Sequence, residues 1–142
     1  MLRDASIKTL DMLILENMWL EVLDYDRLCR CIRMKNHRSG NVWEELDDEE
    51  FLYRFGAAGR SEDGKIHPTA AGLLMFGHKY EIVKKYPYYF LDYQERMDGG
   101  RWTDRIVSTS GGRSGNVYDF YFRVYNKLTQ DVKVPFKRED NK

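Results

Sequence analysis

HPTAAGLLMFG, residues 67–77, carries a helix start, an apolar run and a stop in quick succession. Thr69 stands just before Ala70, Leu73, Leu74 and Phe76, which recur at helical steps, and Gly77 closes the run. A threonine hydroxyl at that position can accept a free N–H of the first turn, so the spacing predicts a short helix capped by Thr69 and ended at Gly77. Just upstream, Ser61-Glu62-Asp63-Gly64-Lys65 reads as a turn and Ile66, His67 and Pro68 as a brief extended piece. Further back, Asp47 followed three residues later by Glu50 is a second start signal, with Phe51, Leu52 and Phe55 on the apolar side and a stop near Gly56. The local order is helix, turn, short strand, helix, which makes a winged-helix-like element over residues 47–77 an expectation.

The rest of the chain surrounds this unit with helices and one hairpin. Ile7, Leu10, Leu13, Ile14 and Met18 recur at three- and four-residue steps between Lys8, Asp11 and Glu16, predicting an amphipathic helix over 6–23. A second helix is expected over 26–35, with Leu28 and Ile32 inward and Arg27, Arg30 and Arg33 on one outward face. Arg27, Arg30, Arg33, Lys35 and Arg38 form a basic stretch without an acid, followed by Glu44, Glu45, Asp47, Asp48, Glu49 and Glu50. A phosphate backbone could neutralise such cations, and so could the acids that follow them. The aromatic run from Tyr86 to Met97, opened by Pro87, predicts a strand, and a second follows around Ile106 and Val107 after Asp98-Gly99-Gly100, which makes a hairpin.

The last predicted helix, 116–130, is apolar nearly all round: Val117, Phe120, Tyr121, Val124 and Leu128 on one side, Tyr118, Phe122 and Tyr125 on another. Such a helix needs cover on more than one face, which points to another domain or a second copy docking on Tyr118, Phe122 and Tyr125. After Val134-Pro135, residues 136–142 read as a polar, frayed tail.

Composition bounds the partners. The chain has 142 residues, 23 Lys and Arg against 23 Asp and Glu, and 42% hydrophobic residues with 7 Phe, 3 Trp and 10 Tyr. One globular domain over 1–135 is expected, and a uniformly basic or acidic coat is excluded. No apolar run reaches the ~18 residues of a membrane span, so no membrane is expected as a partner. Without a secretory pattern at the start, and with Cys29 and Cys31 too close for an ordinary disulfide, a cytoplasmic location is expected. No metal-ligand spacing, phosphate-cradling GxxxxGK[ST] motif or nucleophile elbow occurs, so no catalytic residue, metal or cofactor is assigned to this chain. The loop 111–116, with Arg113 and Ser114, is the one candidate for an anion or nucleotide, through backbone N–H groups at a helix start.

Val22-Leu23-Asp24-Tyr25, Val42-Trp43-Glu44, Phe51-Leu52-Tyr53-Arg54-Phe55-Gly56-Ala57-Ala58 and above all HPTAAGLLMFG resemble bacterial and archaeal transcriptional regulators of the Schlafen/AlbA-type plus GHKL-ATPase-like family, which carry the label RecG-related ATP-dependent DNA helicase. YPYYFLDYQERMD, RWTDRIVSTSGG and SGNVYDFYFRVYNKL look like the same family, so the resemblance covers about residues 4 to 136. It implies a middle region of a longer DNA-associated regulator, after a nucleic-acid- or nucleotide-binding module and before an ATPase-like module with a winged-helix end. ATP would then belong to the flanking modules, and no functional residue of theirs carries over. The expectation is thus an α+β domain, four to five helices around a small antiparallel sheet, not itself an enzyme. It would serve as a connecting and interaction module whose partners are the flanking modules of the same chain, DNA and, for the last helix, a second copy. The alternative is direct nucleic-acid binding through residues 27–38.

Overall fold

A computed structural model of the chain describes residues 9–24, 46–96, 102–109 and 115–140, with 102–103 and 131–140 described by their backbone. Among these residues the fold is α+β, with four α-helices and two separate two-stranded antiparallel sheets. The central unit follows the sequence signals closely. Helix α1 (Asp48–Phe55) is capped by Asp47, whose side chain accepts from Glu50 N–H at 2.7 Å, and ends at Gly56, which adopts a left-handed φ of 90°. Strands β1 (Ala58–Arg60) and β2 (Ile66–Pro68) pair antiparallel across the 61–65 turn, with Gly59 opposite His67. β1 has no counterpart among the expected elements. Its three residues, Ala58, Gly59 and Arg60, carry no β-branched or aromatic side chain to announce a strand.

Helix α2 (Ala70–Phe76) begins where Thr69 predicts. The buried Thr69 hydroxyl accepts from Gly72 N–H at 3.0 Å and donates to the Gly56 carbonyl at 2.8 Å, tying the start of α2 to the end of α1. Replacing Thr69 by alanine leaves both groups without this partner, and we expect a loss of about 2 kcal/mol. Urea unfolding of the T69A chain measures it; a loss below about 0.5 kcal/mol would show that water replaces the hydroxyl.

The predicted N-terminal helix is not formed over 9–24. That segment is an extended strap with two 3-10 turns, Leu10–Met12 and Leu20–Val22. It runs alongside α2 in the same direction and is bonded at both of that helix's ends. Leu15 N–H donates to Pro68 O and Ala70 N–H to Leu13 O, both at 2.9 Å. At the other end Asp24 N–H donates to Phe76 O at 2.7 Å, and His78 N–H to Val22 O at 3.0 Å. The periodicity misleads because its apolar residues serve two clusters rather than one face. Leu15 packs with Leu73 and Ile82, whereas Leu23 packs with Phe51, Leu52, Ala57, Ala58 and Phe76. An extended chain advances about 3.3 Å per residue against about 1.5 Å in a helix, which lets one segment reach both. The helix expected over 26–35 lies outside the described residues.

Helix α3 (Lys79–Lys85), also without a predicted counterpart, buries Ile82 alone among its side chains. Too little apolar periodicity remains in such a helix to announce it. The aromatic stretch 86–91 is a connection rather than a strand: Tyr86 N–H closes α3 on Ile82 O, and a turn follows at Pro87 and Tyr88. The strand starts later, with β3 (Asp92–Arg96) pairing antiparallel to β4 (Trp102–Val107), so the hairpin is found with a shorter first arm. Tyr86 and Tyr89 pack against the Leu15, Leu73 and Ile82 cluster. The Tyr89 hydroxyl also donates to Gly115 O at 2.7 Å, and burial pushes its pKa up to about 12.

Helix α4 runs from Val117 through Pro135 to Asp140, well beyond residue 130, so residues 136–140 continue the helix instead of forming the expected tail. Buried Asn116 fixes its start. The side-chain oxygen accepts from Asp119 N–H at 2.9 Å, and the side-chain amide donates to Gly77 O at 3.0 Å, joining α4 to the end of α2.

Candidate functional site

Two places bring chemically distinctive side chains together. The first is a chain of aromatic rings that leads from the core to the surface of α4. Phe51 stacks on Phe55 at 5.6 Å between centroids, Phe55 lies 5.9 Å from Phe76, and Phe76 lies 5.6 Å from Tyr118. Tyr118 meets Phe122 edge-on at 4.8 Å, Phe122 meets Tyr121 at 5.3 Å, and Tyr121 stacks on Tyr125 at 6.0 Å. Phe51 and Phe76 are buried and Phe55 between them is 41% exposed; on α4, Tyr118 and Phe122 are half-buried, whereas Tyr121 is 58% and Tyr125 50% exposed, with Leu128 46% exposed one turn on. Of the three predicted docking residues, Tyr118 and Phe122 therefore belong partly to the fold and Tyr125 to the surface. Tyr121 joins Tyr125, a pairing the i, i+4 spacing on a helix already contains.

The β3–β4 hairpin holds α4 by charge. Lys127 pairs with Asp104 and lies 3.7 Å from Glu95, while Arg123 donates to Val107 O at 3.3 Å. Within the hairpin Arg105 and Asp92 pair at 2.9 Å, and the guanidinium holds the Asp92 carboxyl below the usual carboxylate range. The Lys127 ammonium does the same for Asp104.

The second place is the seam between the strap and the β1–β2 hairpin. A pocket of about 460 Å³ opens there, lined by Trp19, Glu21, Glu49, Arg60, Lys65 and others, with the Lys65 ammonium 5.3 Å from the Trp19 ring centroid. Behind it His67 is 1% exposed, with Trp19 4.8 Å from its ring. Its Nδ1 lies 2.8 Å from the Met18 carbonyl oxygen and its Nε2 2.8 Å from a carboxylate oxygen of Asp63. The hydrogen bond to Met18, then that to Asp63, raises the His67 pKa above its ordinary 6.5 against the opposing effect of burial. The same bond to His67, followed by the Lys65 N–H, lowers that of Asp63. Sequence reading misses this cluster because Met18 and His67 are 49 residues apart, and the strap that joins them is not the predicted helix.

The basic residues Arg27, Arg30, Arg33, Lys35 and Arg38, and the anion candidates Arg113 and Ser114, lie outside the described residues. Among the described residues no three His, Cys, Asp or Glu side chains converge as metal ligands, and no helix is long and apolar enough to cross a membrane. Several described cations are already committed: Arg54 and Arg60 both bind Glu50 at 3.0 Å, Lys84 binds Glu81, and Arg105 and Lys127 bind hairpin acids. No curated protein and no solved structure matches the chain. One family model matches residues 1–92, a span that takes in the strap, α1, the β1–β2 hairpin, α2 and α3. On that match over most of its 142 residues, the chain belongs to the family described as Domain of unknown function (DUF8451).

Proposed function

We propose that this chain is a connecting and interaction module of a DNA-associated transcriptional regulator, and that the outer aromatic face of α4 is where another protein module docks. The observation that carries this reading is the exposed stripe of Tyr121, Tyr125 and Leu128 on a helix that Asn116 and Tyr118 hold to α2 and that Arg123 and Lys127 hold to the β3–β4 hairpin. Aromatic side chains offer large contact area at low entropic cost and dominate binding energy where they are covered. The fold supplies rigidity beneath them through Tyr118, Phe76 and Phe55. The pairing of Arg54, Arg60, Lys84, Arg105 and Lys127 with acids favours a protein partner over a phosphate backbone on the described surface.

The test is the Y121R/Y125R double substitution in the intact protein. Both side chains are at least half exposed, so stability should change by no more than about 1 kcal/mol in all, while association with the flanking modules or with a second copy weakens at least about tenfold. Unchanged association, measured by sedimentation and by crosslinking between modules, would refute the docking face. Direct nucleic-acid binding is separated in the same series by titrating duplex and single-stranded DNA at two salt concentrations against an R27E/R30E/R33E variant. Salt-sensitive binding that disappears in the variant would replace the connector reading, since each phosphate neutralised contributes about −0.9 to the slope of log K against log salt.

A further inference from the structure

His67 makes two contacts that a neutral imidazole cannot both make. The Met18 carbonyl only accepts, and so does the ionised Asp63 carboxylate; each lies 2.8 Å from a different ring nitrogen. Two N–H donors are therefore required, which means the imidazolium. A neutral ring would set a nitrogen lone pair against one of the two oxygens. Which contact fails is decided by burial: the Asp63 side chain is 44% exposed and can be hydrated on release, whereas His67 itself is 1% exposed. An inward carbonyl left without its donor would bear a desolvation penalty. The neutral ring thus keeps its proton on Nδ1, toward Met18, and Asp63 lets go.

We propose that His67 is a proton-operated latch between the strap and the β1–β2 hairpin: its doubly protonated ring clamps Met18 and Asp63 together, and loss of one proton frees Asp63 and the 61–65 turn that it organises. The turn depends on Asp63 directly. One carboxylate oxygen takes the His67 N–H while the other accepts from Lys65 N–H at 2.7 Å. Gly64 and Lys65 also line the pocket beside Trp19, so the latch controls one wall of that pocket.

The acids that face the ring, Asp63 and Glu16, favour the closed form, and the nearby cations Lys65 and Arg60 do not. Asp63 and Lys65 come from the turn, the latter over the Trp19 ring. Glu16 comes from the strap, where it accepts a hydrogen bond from the Ser61 hydroxyl; Arg60 and Glu49 lie in the adjoining pocket; and α2, with the sequence AAGLLMF, presents no ionisable side chain. With its folded pKa above 6.5, His67 contributes stability that is complete below the unfolded value and is lost as pH rises through the folded one. The latch is closed in acid and opens toward the alkaline side.

The ring nitrogens can be followed directly by long-range proton–nitrogen NMR in an H37Q/H78Q background, where His67 is the sole histidine, from about pH 5 to about pH 9. The expected result is a doubly protonated ring at low pH that converts to the Nδ1–H tautomer with a midpoint above 6.5. Over the same interval the amide protection of residues 61–65, corrected for intrinsic exchange, falls about tenfold. Asp63→Asn, on an exposed turn, should leave the fold intact and move both midpoints to lower pH together. A ring that stays in one neutral tautomer throughout would overturn the proposal, as would protection that is flat across the His67 midpoint, or a midpoint that D63N does not move.

Discussion

Gly72→Ala is expected to destabilise the fold by about 3 kcal/mol or more, reversing the sign that helix propensity alone assigns. Inside a helix, alanine is favoured over glycine by about 1 kcal/mol, and Gly72 sits in the first turn of α2. Its missing side chain is a contact requirement, however. A Cβ built there falls within the van der Waals sphere of the Ala57 carbonyl oxygen, 2.8 Å from the carbonyl carbon and 2.9 Å from Cα. The obstacle is backbone, so no rotamer change can relieve it. Nor can that backbone retreat cheaply, because the Ala57 carbonyl accepts from Thr69 N–H at 3.0 Å and Ala57 N–H donates to Leu52 O at 2.9 Å. Moving α2 away would in turn stretch the Thr69 bond to Gly56 and the strap's bonds at Ala70 and Phe76. Urea denaturation of G72A beside A71G makes the comparison: A71G should cost about 1 kcal/mol by propensity, and G72A several times that. An unchanged or raised midpoint for G72A would disprove the close approach.

The same region explains how far the sequence could be read. Asp47, Gly56, Thr69 and Gly77 are local signals, each acting within one helical turn, and the structure places helix ends at all four. The strap had no such local cause. Its hydrogen-bond partners, Pro68, Ala70, Phe76 and His78, are more than fifty residues downstream in sequence, so the apolar spacing of 9–24 was equally consistent with a helix. The aromatic run 86–91 fails for a related reason. Tyr86 and Tyr89 meet the strand-like composition of a sheet but spend it on the second apolar cluster, and the tertiary packing overrides the propensity. At the candidate site the reading goes part of the way: a helix with rings all round announces that some must remain at the surface, but of the expected Tyr118, Phe122 and Tyr125 only Tyr125 is exposed, beside Tyr121 from the other expected side. The His67 latch was not legible. It joins a turn residue four positions back to a main-chain carbonyl on the far strap, an arrangement that no single periodicity encodes.

Phe51→Ala should cost about 3–5 kcal/mol, the range for emptying a buried aromatic site, and should test whether strap, central unit and α4 unfold together. Phe51 is fully buried in the cluster that also holds Leu23 from the strap, Leu52 from α1, Ala57 and Ala58 beyond it, and Phe76 from α2, with Tyr118 of α4 packed at its edge. Removing the ring deletes the partner of Phe55, and Phe55 in turn touches Phe76, which supports Tyr118. The cavity therefore opens at the base of the aromatic path whose outer end is Tyr121 and Tyr125. Since the strap, α1, the β1–β2 hairpin, α2 and α4 all meet at this cluster, the loss should appear as one cooperative transition shifted to lower urea with its slope retained. Phe51→Leu, which keeps most of the volume, should recover the greater part of the stability. The docking reading makes a further demand: under conditions where F51A is still folded, its association through α4 should weaken along with its stability, whereas Y121R/Y125R weakens association alone. An F51A chain that unfolds in two separate steps, with α4 melting independently of α1 and α2, would show that the aromatic path is not a mechanical connection, and the exposed tyrosines would then have to bind their partner from a helix that the core does not hold in place.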